Sequence, residues 1–493
     1  MVGDLKIYGR GVKNLLNGTL IKGGMWLTVF TVISQIISFA SSAVFLRMLS
    51  VSDNGVISNY TKIVAVVTTI VTLGLTACIQ RGKIEYEDNY EGFLSAIFTL
   101  STFVIVMFAV VFYIFKYEIS LAIKVDEELI MLMLVHCFFQ FVFQCSSIKY
   151  ITKYEYRKYF WVNVSYNILA IVLSIIFIVL FENIPIKIET IGMAIRPGMP
   201  SSTGSYGRIY GMAIAPIIYG VIFYINQLIR GRIYINRECW KFGLMISIPL
   251  IVHSLSAYAM SFFDSIAIRQ ILGSVEAGLY DVPYKLGMLI HTFWAAINKA
   301  WVPWFFEKMK NKCYKEIDRA MESYFIMFTY VFFGFIMVSP ELGYLQAGIQ
   351  YVDSFAIIPI IGLSYYFLFL YGLPVNIEFY EKKTIFITIG TVISAVINVV
   401  LNIWLIPIYG YKIAAVTTLV SYVVQFIYHL IVVKGKFNYE FIKVKTFIIY
   451  IAISLGATMY FYVVQDNIIM RYASVLFVTL VIGIKFKNKL SGI

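Results

Sequence analysis

Apolar residues fill this chain in runs of about 20, and short charged or Gly- and Pro-rich breaks separate the runs. A helix rises 1.5 Å per residue, so about 20 residues cross the roughly 30 Å hydrocarbon layer of a bilayer. The pattern predicts about fourteen helical spans, near residues 22–46, 55–79, 92–115, 129–148, 159–181, 209–229, 241–268, 279–306, 321–338, 353–376, 384–406, 412–433, 446–464 and 468–484. The last pair stays open between two crossings and one re-entrant hairpin. Membrane barrels show short alternating segments instead. The expected fold class is an all-α polytopic membrane protein.

Two stretches share the spacing L-[SG]-x2-[DE]-x-G-[VL]-x5-K-[IL]. One runs from Leu49-Ser50 through Asp53 and Gly55 to Lys62, the other from Leu272-Gly273 through Glu276 and Gly278 to Lys285. Each copy closes one apolar run and opens the next. With six spans before each junction of the halves, the repeat is parallel, related by an axis along the membrane normal. The expected organisation is a cytoplasmic segment over 1–21, an N-lobe of spans one to six over 22–230 and a C-lobe of spans seven to twelve over 231–440. A C-terminal helix pair and tail fill 441–493. The two six-helix lobes are pseudo-symmetric, with the last two helices outside the repeat.

Lys62 and Lys285 fall about seven residues, or roughly 10 Å, inside their predicted spans. A lysine stem can snorkel to the interface from that depth. Against this, the positions match between halves and polar neighbours (Asn59, Thr61, Asp281, Tyr284) surround them, which favours a cationic cavity. Lys299 lies on the Lys285 face, where it either continues a cationic track or snorkels. Arg47 and Arg269 close spans one and seven. Their planar guanidinium forks suit phosphate oxygens, although each also fits an interfacial anchor. Asp264, deep in span seven, either pairs with a cation or carries a coupling proton or sodium ion, with pairing preferred. Glu378 reads as interfacial, and His253, His291 and His429 as packing residues.

Polar stripes at helical spacing mark three spans. Span one carries Thr28, Thr31, Gln35, Ser38 and Ser42; span eleven carries Thr384, Thr388, Thr391, Ser394, Asn398 and Asn402. Steps of three and four keep such residues on one face. Helix packing explains Ser and Thr stripes in membranes, but these two are long and the second holds amides, which points to water-lined walls at Thr31, Gln35, Ser38, Thr391, Asn398 and Asn402. The shorter stripe of span twelve (Thr418, Ser421, Tyr422, Gln425, His429) fits packing equally well.

The composition is 60% hydrophobic and 14% charged, with mean hydropathy +0.81. Soluble domains hold about 25% charged residues, so a water-soluble fold is excluded. The net charge of +13 would suit nucleic acid, but most of the 40 cations fall in alternate loops. By the positive-inside rule that distribution places both termini in the cytoplasm. The first 21 residues have Lys6, Arg10 and Lys13 without an apolar core, so no cleavable signal peptide is expected. The five cysteines form neither a metal spacing nor a disulfide framework. There is no G-x-x-x-x-G-K-[ST], H-E-x-x-H or G-x-S-x-G, so a transporter is expected and not an enzyme, with no catalytic residues and no metal.

Three segments carry a resemblance. They are LIKGGMWLTVFTVISQIISFASSAVFLRMLSVSDNGVISNY, FFDSIAIRQILGSVEAGLYDVPYKLG with Lys299-Ala300-Trp301-Val302-Pro303, and Asn402 to Ala415, NIWLIPIYGYKIAA. Over about residues 15–435 the chain resembles the Wzx-type oligosaccharide flippases, polysaccharide biosynthesis proteins of the multidrug/oligosaccharidyl-lipid/polysaccharide (MOP) exporter superfamily. The resemblance implies a MATE-like fold and alternating access. It also implies a polyprenyl-diphosphate-linked oligosaccharide moved across the cytoplasmic membrane for a surface polysaccharide such as O-antigen or capsule. Arg47, Lys62, Arg269, Lys285 and Lys299 are then the cations available to the diphosphate. No cofactor is implied beyond a coupling H+ or Na+, with a polysaccharide polymerase complex as a candidate partner and no nucleic acid. Two alternatives stand beside this: an ion-coupled drug/cation antiporter of the same superfamily, and a non-transporting subunit of a glycan assembly complex. The loop before span six is long for the family.

Overall fold

The computed structural model describes residue 30 and residues 33–183 and 203–490. The N-terminal segment and most of the loop around Arg196 lie outside the described residues. Among the described residues all regular structure is helical. The helices are α1 (Ile33–Met48), α2 (Val51–Val71), α3 (Cys78–Glu85), α4 (Tyr90–Ile114), α5 (Lys116–Ile123), α6 (Glu127–Thr152), α7 (Tyr156–Asn183) and α8 (Thr203–Gly231). They continue with α9 (Arg237–Ile271), α10 (Ser274–Lys310), α11 (Tyr314–Ala347), α12 (Ile358–Tyr380), α13 (Thr384–Tyr409), α14 (Ile413–Lys436), α15 (Val444–Val464) and α16 (Ile468–Leu490).

Among the described residues each of the fourteen predicted spans overlaps one of these helices, the first from residue 33 on; α3 and α5 are short additions. Among the described residues, nine helices are individually long and apolar enough to cross a bilayer. A tenth candidate is α2 with Leu75–Glu85, bent by 72°, and Ile33–Met48 and Ile468–Val481 are shorter apolar stretches. The bend has a local cause: Leu73 and Gly74 both take positive φ, of 50° and 59°, and a left-handed pair breaks the helix.

The chain divides into two compact units, residues 1–258 and 259–493. The division falls inside α9, well beyond the expected boundary at residue 230. The first turns of α9 belong to the first unit because Trp240 Nε1 donates to the Ala96 carbonyl of α4 at 2.8 Å. Gly243 also packs there, where a Cβ would lie 2.7 Å from Ile97. In the same unit, Gly207 and Gly211 let α8 press on the backbone of α7: a Cβ at Gly211 would sit 2.3 Å from Ser174 Cα. Small residues four apart are the usual means of such close contact in membranes.

The second unit surrounds an aromatic core in which Phe325, Phe328, Phe332, Tyr366 and Phe369 are buried. Helices α15 and α16 are integrated into this unit. Phe447 and Tyr450 pack on Phe325 with ring centroids 5.2 and 4.9 Å apart. Arg471 of α16 forks onto the Glu341 carboxylate of α11, with one N–H···O contact of 2.8 Å.

Candidate functional site

The repeated motif marks two helix starts. Ser50 caps α2: its Oγ accepts from the Asp53 N–H at 3.1 Å, and Asp53 Oδ2 accepts from the Ser50 N–H at 3.2 Å. This reciprocal box satisfies two otherwise orphaned amides. In the second copy Gly273, at φ 127°, stands at the same place and supplies no side-chain cap. The acid of the first copy therefore has a local structural job.

Because both helices begin at these caps, four or five residues earlier than the hydropathy suggests, Lys62 and Lys285 are each the twelfth residue of their helix. They lie about 17 Å along the axis from the helix start, at matching positions in the two helices. Lys62 is half-buried and Lys285 exposed. The arginines also differ. Arg47 is exposed, with Nη1 donating to the Ala43 carbonyl at 3.2 Å. Arg269 is 8% exposed and donates to Ser274 Oγ across the α9–α10 corner. Gln35 and Ser38 are exposed on α1. Thr31 and the side chain of Lys299 lie outside the described residues, as does that of His253.

Asp264 of α9 is 2% exposed. Its carboxylate accepts from Tyr280 Oη (α10) at 2.9 Å, from Thr418 Oγ1 (α14) and from Asn402 Nδ2 (α13). Asn402 Nδ2 also donates to Asn398 Oδ1 at 3.2 Å, and Asn402 Oδ1 accepts from Thr417 at 2.6 Å. The expected pairing with a cation gives way to neutral donors: Asp264 forms no ion pair among the described residues. The span-eleven stripe is corrected with it. Asn398 and Asn402 are buried inside the second unit, not on a water-lined wall: Asn402 donates to the buried carboxylate and to Asn398 Oδ1. Thr391, half-buried, donates to the Ile387 carbonyl at 2.8 Å.

A second buried carboxylate contradicts the interfacial reading of Glu378. Glu378 in the last turn of α12 and His429 of α14 are both fully buried, and His429 Nδ1 lies 2.8 and 2.9 Å from the two carboxylate oxygens. The Tyr371 ring stands 4.9 Å from the imidazole, centroid to centroid. His429 ends the span-twelve stripe, so its buried face was readable; its partner, 51 residues away in sequence, was not.

The first unit contains a cavity of about 400 Å³ lined by α2, α6, α7, α8, α9 and the turn after α2. Thr68, Thr69, Gln140, Gln144, Tyr166 and Asn167 lie on its wall, and among the described residues no Lys, Arg, Asp or Glu does. Tyr166 Oη donates to Gln140 Oε1 at 2.9 Å. His136, also on the wall, has Nδ1 3.2 Å from Tyr60 Oη. None of these wall residues was singled out from the sequence. Thr61, Thr68 and Thr72 on α2 and Gln140 and Gln144 on α6 are spaced by four or seven, a signal that was available on each helix but short.

Among solved structures, one titled as a lipid II flippase MurJ in an inward closed conformation superposes with TM-score 0.64 at 15% identity, covering 94% of this chain and 99% of that one. An inward-facing multidrug resistance MATE family transporter of the MOP superfamily gives TM-score 0.50 at 15% identity, covering 81% and 94%. At such identities the likeness concerns the fold. No curated protein matches the sequence. The family model described as polysaccharide biosynthesis protein matches residues 20–309, more than half of the chain, and the chain belongs to that family.

Proposed function

We propose that this protein is a flippase that moves a polyprenyl-diphosphate-linked oligosaccharide across the cytoplasmic membrane, with both of its own termini in the cytoplasm, to supply a surface polysaccharide such as O-antigen or capsule. The observation that carries the reading is the match to the polysaccharide biosynthesis family joined to a fold shared along 94% of the chain with a lipid II flippase. Membership of the family rests on sequence, so the fold likeness adds to it independently.

In this mechanism the headgroup enters the protein while the polyprenyl tail stays in lipid, and alternating access exposes the headgroup on the other side. A diphosphate needs cations inside a low-dielectric protein, because an unpaired buried charge costs several kcal/mol. Lys62 and Lys285, at equal depth in corresponding helices, supply point charges; Arg47, Arg269 and Lys299 are the further cations of the same set. Asp264 is the coupling residue. A buried carboxylate without a counter-cation favours uptake of a proton or a sodium ion, and the hydroxyl and amide oxygens of Tyr280, Thr418 and Asn398 are hard donors for either.

The test is the lipid-linked oligosaccharide content of a strain lacking the protein. Accumulation of one complete repeat unit on the inner leaflet, relieved by the wild-type gene, is expected. Unchanged lipid-linked sugars with a new sensitivity to cationic drugs would replace the reading with that of an antiporter. Accumulation on the outer leaflet would place the protein after flipping, in a glycan assembly complex.

A further inference from the structure

The cavity of the first unit has a wall that diphosphate binding does not explain. It holds about 400 Å³, within the roughly 300–1,000 Å³ of small-molecule sites. Its wall combines hydroxyls and carboxamides with apolar stems and, among the described residues, carries no ammonium, guanidinium or carboxylate. Such a wall gives neither a phosphate nor a cationic drug the opposite charge that desolvation demands.

Helix packing accounts for part of this polarity. Thr61, Thr69 and Thr72 donate to the carbonyls of Ile57, Ala65 and Thr68, four residues back, at 2.8, 3.2 and 2.7 Å, a common use of threonine in membranes. Packing does not account for the carboxamides. Gln144 and Asn167 line the cavity and make no hydrogen bond among the described residues. The NH2 of Gln140 is likewise unused once Tyr166 has fixed its carbonyl. Each carboxamide carries two donor hydrogens and a two-lone-pair acceptor. Gln144 is exposed and Gln140 and Asn167 are half-buried, so their amides are open to a ligand in the cavity, and polar groups within membrane spans mark function. The Tyr166 ring that holds Gln140 is itself stacked on Phe143, with centroids 4.1 Å apart, so the group is positioned before any ligand arrives.

We propose that this cavity is a sugar subsite: Gln140, Gln144 and Asn167 hydrogen-bond the hydroxyl and acetamido groups of an uncharged sugar of the lipid-linked substrate. The proposal rests on the flippase reading and divides the substrate between two chemistries, with the cations taking the diphosphate and the neutral cavity setting which sugar is accepted. A site built to bond hydroxyls discriminates strongly, because its own amides are left unpaired when the wrong group enters.

The test uses the full-length protein in lipid nanodiscs and two kinds of probe. One is farnesyl diphosphate; the other is a set of farnesyl-diphosphate-linked neutral disaccharides headed by N-acetylglucosamine, N-acetylgalactosamine, glucose or galactose. The wild type is expected to bind at least one glycosylated probe roughly tenfold more tightly than farnesyl diphosphate. In the double variant Gln144→Leu/Asn167→Leu that gain disappears, while farnesyl diphosphate binds as before. Each single variant weakens the glycosylated probe by roughly fivefold, and the singles decide the matter if the double variant does not fold. The sugar subsite is overturned if no disaccharide improves on farnesyl diphosphate, if the variants leave the gain intact, or if they weaken both kinds of probe equally. A wild type that binds none of the probes overturns the flippase reading itself.

Discussion

The two units keep their buried polar groups in opposite ways. The first surrounds a cavity with uncharged groups, several of which make no hydrogen bond among the described residues. In the second, the carboxylates of Asp264 and Glu378 are buried among hydrogen-bonding side chains. A neutral, under-bonded wall can trade one uncharged ligand for another at small cost. A buried carboxylate must be compensated in every state, by donors, a proton or a cation. The difference suits a division of labour, with recognition of neutral groups at the cavity of the first unit and ion coupling at a buried acid in the second.

The largest effect that could break this comparison lies at Glu378. Removing one partner of a buried pair costs about 3–5 kcal/mol. Thermal unfolding of Glu378→Ala in nanodiscs should fall accordingly, while a double Glu378→Leu/His429→Leu variant recovers most of the loss. A single variant as stable as the wild type would mean that the second unit does not depend on this pair.

Next comes Asp264→Asn, which keeps the shape and removes the charge. Transport in proteoliposomes should lose its response to imposed proton or sodium gradients, with a drop of roughly tenfold or more under a gradient. An unchanged response would remove Asp264 as the coupling group and leave its network purely structural. Charge reversal at the lysines sharpens the picture further. Lys62→Glu and Lys285→Glu should each weaken farnesyl diphosphate binding roughly tenfold, the half-buried Lys62 more than the exposed Lys285, since burial reduces screening. Equal binding by Lys285→Glu would take that residue out of the diphosphate site.

The smallest effect distinguishes the two copies of the motif. Ser50→Ala removes the cap of α2 and should cost about 1 kcal/mol, read as a lower unfolding temperature. Ser at position 273 would add a cap where none exists, but it would have to adopt φ 127°, so Gly273→Ser should destabilise as well. A stabilised Gly273→Ser would show that the second corner tolerates a different backbone.

Much of the fold was legible because lipid imposes it. Every predicted span overlaps a helix among the described residues, since a chain in hydrocarbon has to bond its backbone internally and a run of about 20 apolar residues leaves few other choices. The site was legible only in part. Hydropathy missed the first turns of α2 and α10, because the polar stretches beginning at Ser50 and Gly273 look like loop. Asp264 was recognisable as a lone deep acid, but its donors come from three other helices. The sequence has no means of telling a cation partner from Tyr280, Thr418 and Asn402. Glu378 read as interfacial because α12 ends two residues later, and only the packing of α14 shows that the end is covered. The neutral cavity was missed for the same reason: no single helix carries enough of its wall to stand out.

The most direct measurement is transbilayer movement of a fluorescent polyprenyl-diphosphate-linked disaccharide in proteoliposomes, scored by quenching from one side. The account predicts that the wild type equilibrates the probe between leaflets and that the Lys62→Glu/Lys285→Glu double variant does not. Protein-free rates with the wild type, or equal rates with both proteins, would contradict it.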